Sequence, residues 1–191
     1  HEECSGEVWM TKKNERSCTI KRKTRETTIS VMINLDGTGQ SKVKVPDDFL
    51  RHMVETLSKY SGFDITLTAK GDIAHHLIED VAIRGLKEAI GGKPIRRVAD
   101  AIVPMDEALV MASVDLIDRP YVEVDVPELM YEHFFRSFAM ESRATVHSQV
   151  IRGEDAHHII EATFKAVGIC LRDATKLRGD LLSTKSSVEG E

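Results

Sequence analysis

The feature of this chain that most constrains its fold is an internal repeat. The segment Gly71–Glu79 recurs as Gly153–Glu161, at a constant offset of 82 residues. Both copies have a glycine, an alanine, two adjacent histidines, an isoleucine and a glutamate at matching positions. Self-similarity at a fixed spacing is typical of a duplicated structural unit. The 191 residues are enough for one compact domain, or for two small halves that share a core.

The hydrophobic pattern predicts the same order of elements in both halves. Alternating apolar residues indicate strands, and apolar residues at three- and four-residue spacing indicate helices. The first half is predicted to contain a hairpin of two strands, a helix, a strand and a helix, at about residues 27–35, 43–45, 46–61, 63–69 and 75–90. In the second half, strands are expected over 108–116, 121–126 and 144–151, with helices from about residues 127 and 155. We therefore expect an α/β fold of the α+β type, a duplicated strand-strand-helix-strand-helix unit whose mainly antiparallel sheets carry helices on one face.

The chain divides into four segments on this interpretation. Residues 1–19 are expected to be an amino-terminal tail without a structural role, and residues 20–98 and 99–180 to be the two repeats. Residues 181–191 are expected to be a tail that orders on binding substrate or a neighbouring subunit.

Composition excludes several classes of protein. A formal net charge of −5 and a pI near 5.9 argue against a nucleic-acid-binding protein. Apolar runs are broken by charges well short of the ~20 residues that span a bilayer, which argues against a membrane protein. The three cysteines have no CxxC spacing, so we do not expect a disulfide framework. A reducing compartment is then the simplest assumption, and we expect a cytoplasmic location.

Each repeat carries the pattern His-His-x-x-Glu at the start of a predicted helix. On a helix, residues three or four apart lie on the same side, so the glutamate lies beside both histidines. One imidazole and the carboxylate can then bind one metal ion, while the adjacent histidine, rotated by about 100°, points toward another. A single pair of adjacent histidines on a helix usually has no role beyond the surface or the packing of the core. Its duplication together with the glutamate favours a metal site. The predicted ligands are His75, His76 and Glu79 in the first copy and His157, His158 and Glu161 in the second.

Two further histidines complete a dinuclear set. His52 lies on the first amphipathic helix and His147 on the strand before the second pair, where packing would otherwise be the simpler explanation. Six imidazoles and two carboxylates divide into two sites of three histidines and one glutamate. Mixed nitrogen and oxygen ligands without thiolates favour Mn²⁺ or a similar ion over structural zinc. We expect His133 to be structural.

With these positions, the sequence resembles the imidazoleglycerol-phosphate dehydratase family of histidine biosynthesis. The similarity covers about residues 21–185. The matching segments, given by their residue ranges, are 22–27, 35–39, 52–53, 71–72, 75–80, 104–108, 118–120, 157–161, 164–166 and 183–185.

The resemblance implies an activity, a cofactor and an assembly. The family removes water from imidazole glycerol phosphate to give imidazole acetol phosphate, with two Mn²⁺ ions in a Lewis-acid role. It assembles as trimers that form a 24-subunit shell, with each active site shared between subunits. The expected partners are therefore the phosphorylated imidazole substrate and further copies of the chain, not nucleic acid or membrane.

The resemblance also implies roles for residues that the patterns alone leave as ordinary surface charges. Glu26 matches a substrate-contacting glutamate and is the expected acid/base. Fixed cationic and hydroxyl donors suit a phosphate dianion. The expected phosphate-binding residues are Arg97, Arg119, Lys165, Ser183 and Lys185.

The chain departs from the family's pattern around His52, at Arg51, Thr56 and Tyr60. None of these changes removes a predicted metal ligand. Two other functions stay open on the sequence: a different dinuclear His/Glu hydrolase that acts on a small phosphorylated substrate, and a non-catalytic metal-binding shell protein.

Overall fold

The computed structural model describes residues 7–11, 15–23, 27–71 and 85–179. These residues form nine strands and four helices. The strands are β1 (Glu7–Thr11), β2 (Ser17–Lys23), β3 (Thr27–Asn34), β4 (Ser41–Lys44), β5 (Asp64–Gly71), β6 (Val98–Met105), β7 (Ala108–Asp115), β8 (Tyr121–Val124) and β9 (Thr145–Arg152). The helices are α1 (Asp48–Ser61), α2 (Leu86–Ile90), α3 (Leu129–Ser142) and α4 (Ala156–Ala174).

Apart from the additional strand β1, the two sheets have the same strand order, which confirms the duplicated α+β fold. The first sheet runs β1-β2-β3-β5-β4 and the second β6-β7-β9-β8. In each sheet the last pair is parallel and every other pair is antiparallel. The parallel pairs, β4 with β5 and β8 with β9, are each connected through a helix, α1 or α3, as parallel strands require. Each half is therefore an antiparallel sheet with one β-α-β unit at its edge.

The predicted hairpin between residues 27–35 and 43–45 is wrong. β4 pairs with β5 instead, because β5 lies between β3 and β4. The connection after β3 is held across the start of β5 by the Asp64 carboxylate, which accepts hydrogen bonds from the amides of Thr38 and Gln40, both at 2.9 Å. A side chain at Gly37 would meet Asp64 at 2.4 Å, so the close approach requires glycine.

Three strands lie outside the predicted set. β1 and β2 pair over Glu7–Thr11, in the segment expected to be a tail without a structural role. β6 precedes β7 in the second half, where the prediction began at residue 108 with β7. Arg16, in the same expected tail, is buried and its side chain contacts Asp36 and donates to the carbonyl oxygen of Thr175 at 2.5 Å. The amino-terminal region thus joins the first sheet to the end of α4.

The two long helices α1 and α4 each pack on one of the sheets, and they also pack against each other. α1 contacts β4 and β5, α4 contacts β6 and β7, and α1 contacts α4. Burial alternates along the central strands β3 and β7, which is typical of a sheet with one face on the core. Aromatic rings join α3 to α4, with Phe164 within 6 Å of Tyr131, Phe134 and Phe135 between ring centroids. In the part of the chain described here, no helix has the length and apolar character to span a bilayer.

Candidate metal centre

Two helices with well-defined starts bring the candidate ligands together. The Asp47 carboxylate caps α1 by accepting from the amide of Leu50 at 2.5 Å, and the Asp155 carboxylate caps α4 by accepting from the amide of His158 at 3.1 Å. His157 is therefore fixed in the first turn of α4, with Glu161 one turn later. His52 lies in the second turn of α1, the helix that packs against α4.

His52, His157 and Glu161 form a compact cluster. The Nε2 atoms of both histidines lie 3.2 Å from the same carboxylate oxygen, Oε2 of Glu161. One ligand atom from each residue lies within 4.8 Å of the others. Two imidazole nitrogens and one carboxylate oxygen at this separation can bind one divalent cation, and the donor set fits Mn²⁺ or a similar ion.

Glu161 is the electrostatic centre of this cluster. Its side chain is 9 % exposed, and its second oxygen, Oε1, accepts from Nζ of Lys165 at 2.9 Å. Burial raises the pKa of this carboxyl, but the ammonium of Lys165 and the imidazole of His52 outweigh it, so the net shift of the pKa is downward. Glu161 is therefore an ionised carboxylate at neutral pH, as a metal ligand must be.

His158 points away from this cluster toward the turn between β6 and β7. Its Nδ1 lies 2.7 Å from Oε2 of Glu107, and its Nε2 lies 3.5 Å from Oδ2 of Asp106. Its ring is nearly perpendicular to that of His157. The hydrogen bond with Glu107 raises the pKa of His158. The adjacent histidines therefore face different neighbours, as the helical rotation between them predicts.

An open groove of about 380 Å³ adjoins the cluster. The lining residues come from the loop before β4, from one face of α1 and from α4: Gly39, Ser41, His52, Glu55, Thr56, Lys59, Tyr60, Glu161 and Lys165. Two of the candidate ligands, His52 and Glu161, thus line one groove together with Lys165, an arrangement that suits a small anionic molecule beside a metal ion.

The other predicted residues within the described part of the chain lie elsewhere. His147 is exposed on β9, with its ring 5.3 Å from that of Tyr121, and does not belong to the cluster. Nε of Arg97 forms an ion pair with Asp115 at 2.8 Å. The Arg97 amide donates to the carbonyl of Ala174, at the far end of α4 from the cluster. Arg119 is exposed, and its carbonyl oxygen accepts from the Thr145 hydroxyl.

The remaining predicted residues lie outside the described ranges. They are the acid/base candidate Glu26, the first-repeat ligands His75, His76 and Glu79, and the tail residues Ser183 and Lys185.

The structure places beside His158 two residues for which the sequence predicted no role, although they lie in the segment 104–108 that matches the family. Asp106 and Glu107 lie in the tight turn between β6 and β7, opposite the start of α4, where Glu107 also accepts from the amide of Asp155. Two adjacent carboxylates in a turn between two strands could have indicated these residues. The turn was not recognised, because β6 was not predicted.

Comparison with known proteins agrees with this arrangement. The family model described as imidazoleglycerol-phosphate dehydratase matches residues 46–171. An imidazoleglycerol-phosphate dehydratase from Acidothermus cellulolyticus is 42 % identical over 92 % of this chain and 95 % of its own length. The enzyme of that name from Dictyoglomus thermophilum is 39 % identical over 91 % of this chain and 99 % of its own length.

Solved structures give the same result. The structure from Pyrococcus furiosus in complex with (S)-C348 has a TM-score of 0.76 and 40 % identity, over 86 % of this chain and 97 % of that one. The Staphylococcus aureus structure has a TM-score of 0.76 and 30 % identity, over 85 % of this chain and 99 % of that one. With matching fold, near-complete coverage and the histidine–glutamate cluster in place, the chain belongs to the imidazoleglycerol-phosphate dehydratase family.

Proposed function

We propose that this chain catalyses the reaction for which its family is named, the dehydration of imidazole glycerol phosphate to imidazole acetol phosphate in histidine biosynthesis. The observation that carries the proposal is the convergence of His52, His157 and Glu161 on one point beside a groove that Lys165 also lines. A metal ligand set and a cation in one groove suit a substrate with an imidazole at one end and a phosphate at the other.

The cofactor proposed here is a pair of Mn²⁺ ions. His52, His157 and Glu161 would hold one of them. The sequence offers the remaining ligands, His75, His76, Glu79, His147 and His158. When bound, such cations supply Lewis acidity to the imidazole of the substrate.

The proton transfer falls to a carboxylate of the chain. The substrate carbon that loses its proton has no neighbouring carbonyl to acidify it, so a positioned base is needed. We assign this role to Glu26 as an acid/base: it takes the proton from the carbon and delivers it to the neighbouring hydroxyl, so that the C–O bond breaks and water leaves. The resulting enol becomes the ketone of the product.

Phosphate binding is assigned to the remaining cations and a hydroxyl. Lys165 is held beside the ligand cluster, which supports its assignment. Arg97 is bound to the far end of α4, about 20 Å from Glu161 by the rise of the helix. We therefore propose that Arg97 and Arg119, together with the tail residues Ser183 and Lys185, serve sites that neighbouring copies complete.

We further propose, as the family resemblance implies, that the chain assembles as trimers that form a 24-subunit particle, and that this particle is cytoplasmic. His147 and His158 do not join the cluster within one chain, since His147 contacts Tyr121 and His158 contacts Glu107. A second copy could bring histidines of this kind to the cluster of the first.

The test is incubation of the purified chain and Mn²⁺ with imidazole glycerol phosphate. We expect the ketone product, and we expect a Glu26→Gln variant to keep its metal and lose dehydration. Glu128→Gln is the matched control, because Glu128 is an exposed glutamate before α3 that belongs neither to the groove nor to the ligand cluster. Absence of ketone at every metal loading would contradict the proposal, and release of inorganic phosphate in its place would favour a hydrolase.

A further inference from the structure

Lys165 is enclosed by three side chains from three different elements. Its ammonium contacts Oε1 of Glu161 at 2.9 Å and lies 3.0 Å from the sulfur of Met105, at the end of β6. On a further side, the same nitrogen lies 5.7 Å from the ring centroid of Tyr60. The Lys165 side chain is only 13 % exposed, although it lines an open groove.

The ring of Tyr60 lies within the distance at which an aromatic face attracts a cation. Tyrosine rings attract ammonium groups within about 6 Å of the centroid, and the attraction is stronger when water is excluded. The ammonium also donates to the Met105 sulfur, but a thioether is a weak acceptor, so the carboxylate of Glu161 and the ring of Tyr60 are the stronger attractions. Together they hold it in one orientation between the ligand cluster and the groove.

The packing of α1 on α4 fixes Tyr60 in this position. Gly168 lies one turn after Lys165 on α4, and a Cβ built there would meet Cβ of Tyr60 at 2.9 Å. The absence of a side chain at Gly168 therefore lets Tyr60 lie against α4. His52, Thr56 and Tyr60 are spaced by four along α1, as His157, Glu161 and Lys165 are along α4, so the two rows run side by side.

We propose that Tyr60 is a positioning residue that acts through Lys165. Its ring holds the ammonium at the groove, beside its ion pair with Glu161, in the position from which Lys165 can bind the phosphate of the substrate. The part of this proposal that concerns phosphate binding rests on the proposed function. The contact between Tyr60 and Lys165 does not.

Kinetics of three variants test the proposal. Tyr60→Phe keeps the ring, and we expect its KM to stay within about 2-fold of that of the unchanged chain. Tyr60→Leu removes the ring, and we expect KM to rise about 3- to 10-fold while kcat and metal content hold. In a Lys165→Gln background, Tyr60→Leu is expected to have no further effect, because the residue through which it acts is gone.

A structural role alone would give a different pattern. Loss of activity in Tyr60→Phe as large as in Tyr60→Leu, an unchanged KM in Tyr60→Leu, or an undiminished effect in the Lys165→Gln background would each overturn the proposal. Circular dichroism establishes that each variant is folded before its kinetics are compared.

Competitive acetylation with acetic anhydride tests the contact without turnover. The yield at Lys165 is compared with that at Lys42, an exposed lysine on β4 that serves as the internal reference. We expect the ratio to rise several-fold in Tyr60→Leu and to stay constant in Tyr60→Phe. If the unchanged chain forms no ketone, the proposed function is wrong. The acetylation ratio still tests whether the Tyr60 ring holds Lys165, because it does not depend on turnover. An equal ratio in all three proteins would overturn the inference.

Discussion

At the scale of single residues, the chemistry of the site is concentrated on one carboxylate. Both oxygens of Glu161 are in use: Oε2 faces the two imidazoles and Oε1 faces Lys165. A metal ion that takes Oε2 leaves the contact with Lys165 in place. Glu161 therefore connects the metal-binding part of the groove to its cationic part.

Replacing one of the imidazoles tests the ligand assignment. We expect His157→Asn to lower metal affinity by more than about 10-fold, because a ligand is lost from a set of three. His133→Asn is the matched control, since His133 lies on α3 and outside the cluster. The measurement is metal content per chain after dialysis against buffered Mn²⁺. Equal metal loss in both variants would contradict the assignment.

The contact between Glu107 and His158 predicts a dependence on pH. Glu107 raises the pKa of His158 in the metal-free chain, so the imidazolium persists to higher pH. A metal ion needs the neutral imidazole, and protons therefore compete with it below that pKa. In Glu107→Gln the pKa of His158 falls, and we expect the pH of half-maximal metal loading to fall with it.

Metal loading as a function of pH, by elemental analysis after equilibrium dialysis, measures this shift. Glu55→Gln serves as the control for the loss of one negative charge, because Glu55 has no contact with His158 among those that the described residues show. A midpoint that is unchanged or higher in Glu107→Gln would show that His158 is not a ligand or that Glu107 does not govern its protonation.

At the scale of elements, the sequence predicted the helices that carry the site better than the strand pairing. The helical spacing of Phe49, Leu50, Met53, Val54 and Leu57 placed α1, and the repeat placed the start of α4. Pairing failed for β4 because its hydrophobic alternation is equally consistent with an antiparallel neighbour and a parallel one. The choice depends on the Asp64 contacts and on the connection through α1, which are tertiary.

The close packing of α1 on α4 predicts the effect of a methyl group at Gly168. Alanine is preferred over glycine inside a helix by about 1 kcal/mol, so without a clash Gly168→Ala would stabilise the chain. Here the added Cβ meets Tyr60 at 2.9 Å and the carbonyl of Leu57 at 3.3 Å. Overpacking of this kind costs about 1–3 kcal/mol, so we expect a net loss of stability in urea denaturation. A more stable variant would show that the helices can separate freely.

At the scale of the whole molecule, the two halves share the order of four strands, with β1 added to the first, but they contribute differently to the described cluster. Both sheets place their parallel pair at one edge, and α1 and α3 occupy equivalent positions in them. The described cluster takes His52 from the first half and His157 and Glu161 from the second. Asp118 adds a further link, because its carboxylate contacts both Lys87 of the first half and Arg143 of the second, at 2.6 Å each. The repeat thus predicted that His157 and Glu161 lie on one side of a helix, but it did not predict that His52 of the first half lies beside them.

If metal sites are shared between copies of the chain, as we propose, assembly should depend on the metal. If copies of the chain complete one another's ligand sets, removal of the ions by a chelator removes contacts between subunits. We expect the sedimentation coefficient to fall on treatment with EDTA and to recover when Mn²⁺ is restored. His157→Asn is expected to form the small species even with Mn²⁺ present. A particle whose size is indifferent to EDTA would show that its interfaces do not need the metal.

The most direct test of the central claim is the position of the ion itself. Crystals grown with Mn²⁺ and measured on both sides of the manganese absorption edge locate the metal without reference to activity. The predicted result is an anomalous peak at bonding distance from Nε2 of His52, Nε2 of His157 and Oε2 of Glu161. A fully loaded crystal whose peaks all lie away from these three atoms would contradict the account.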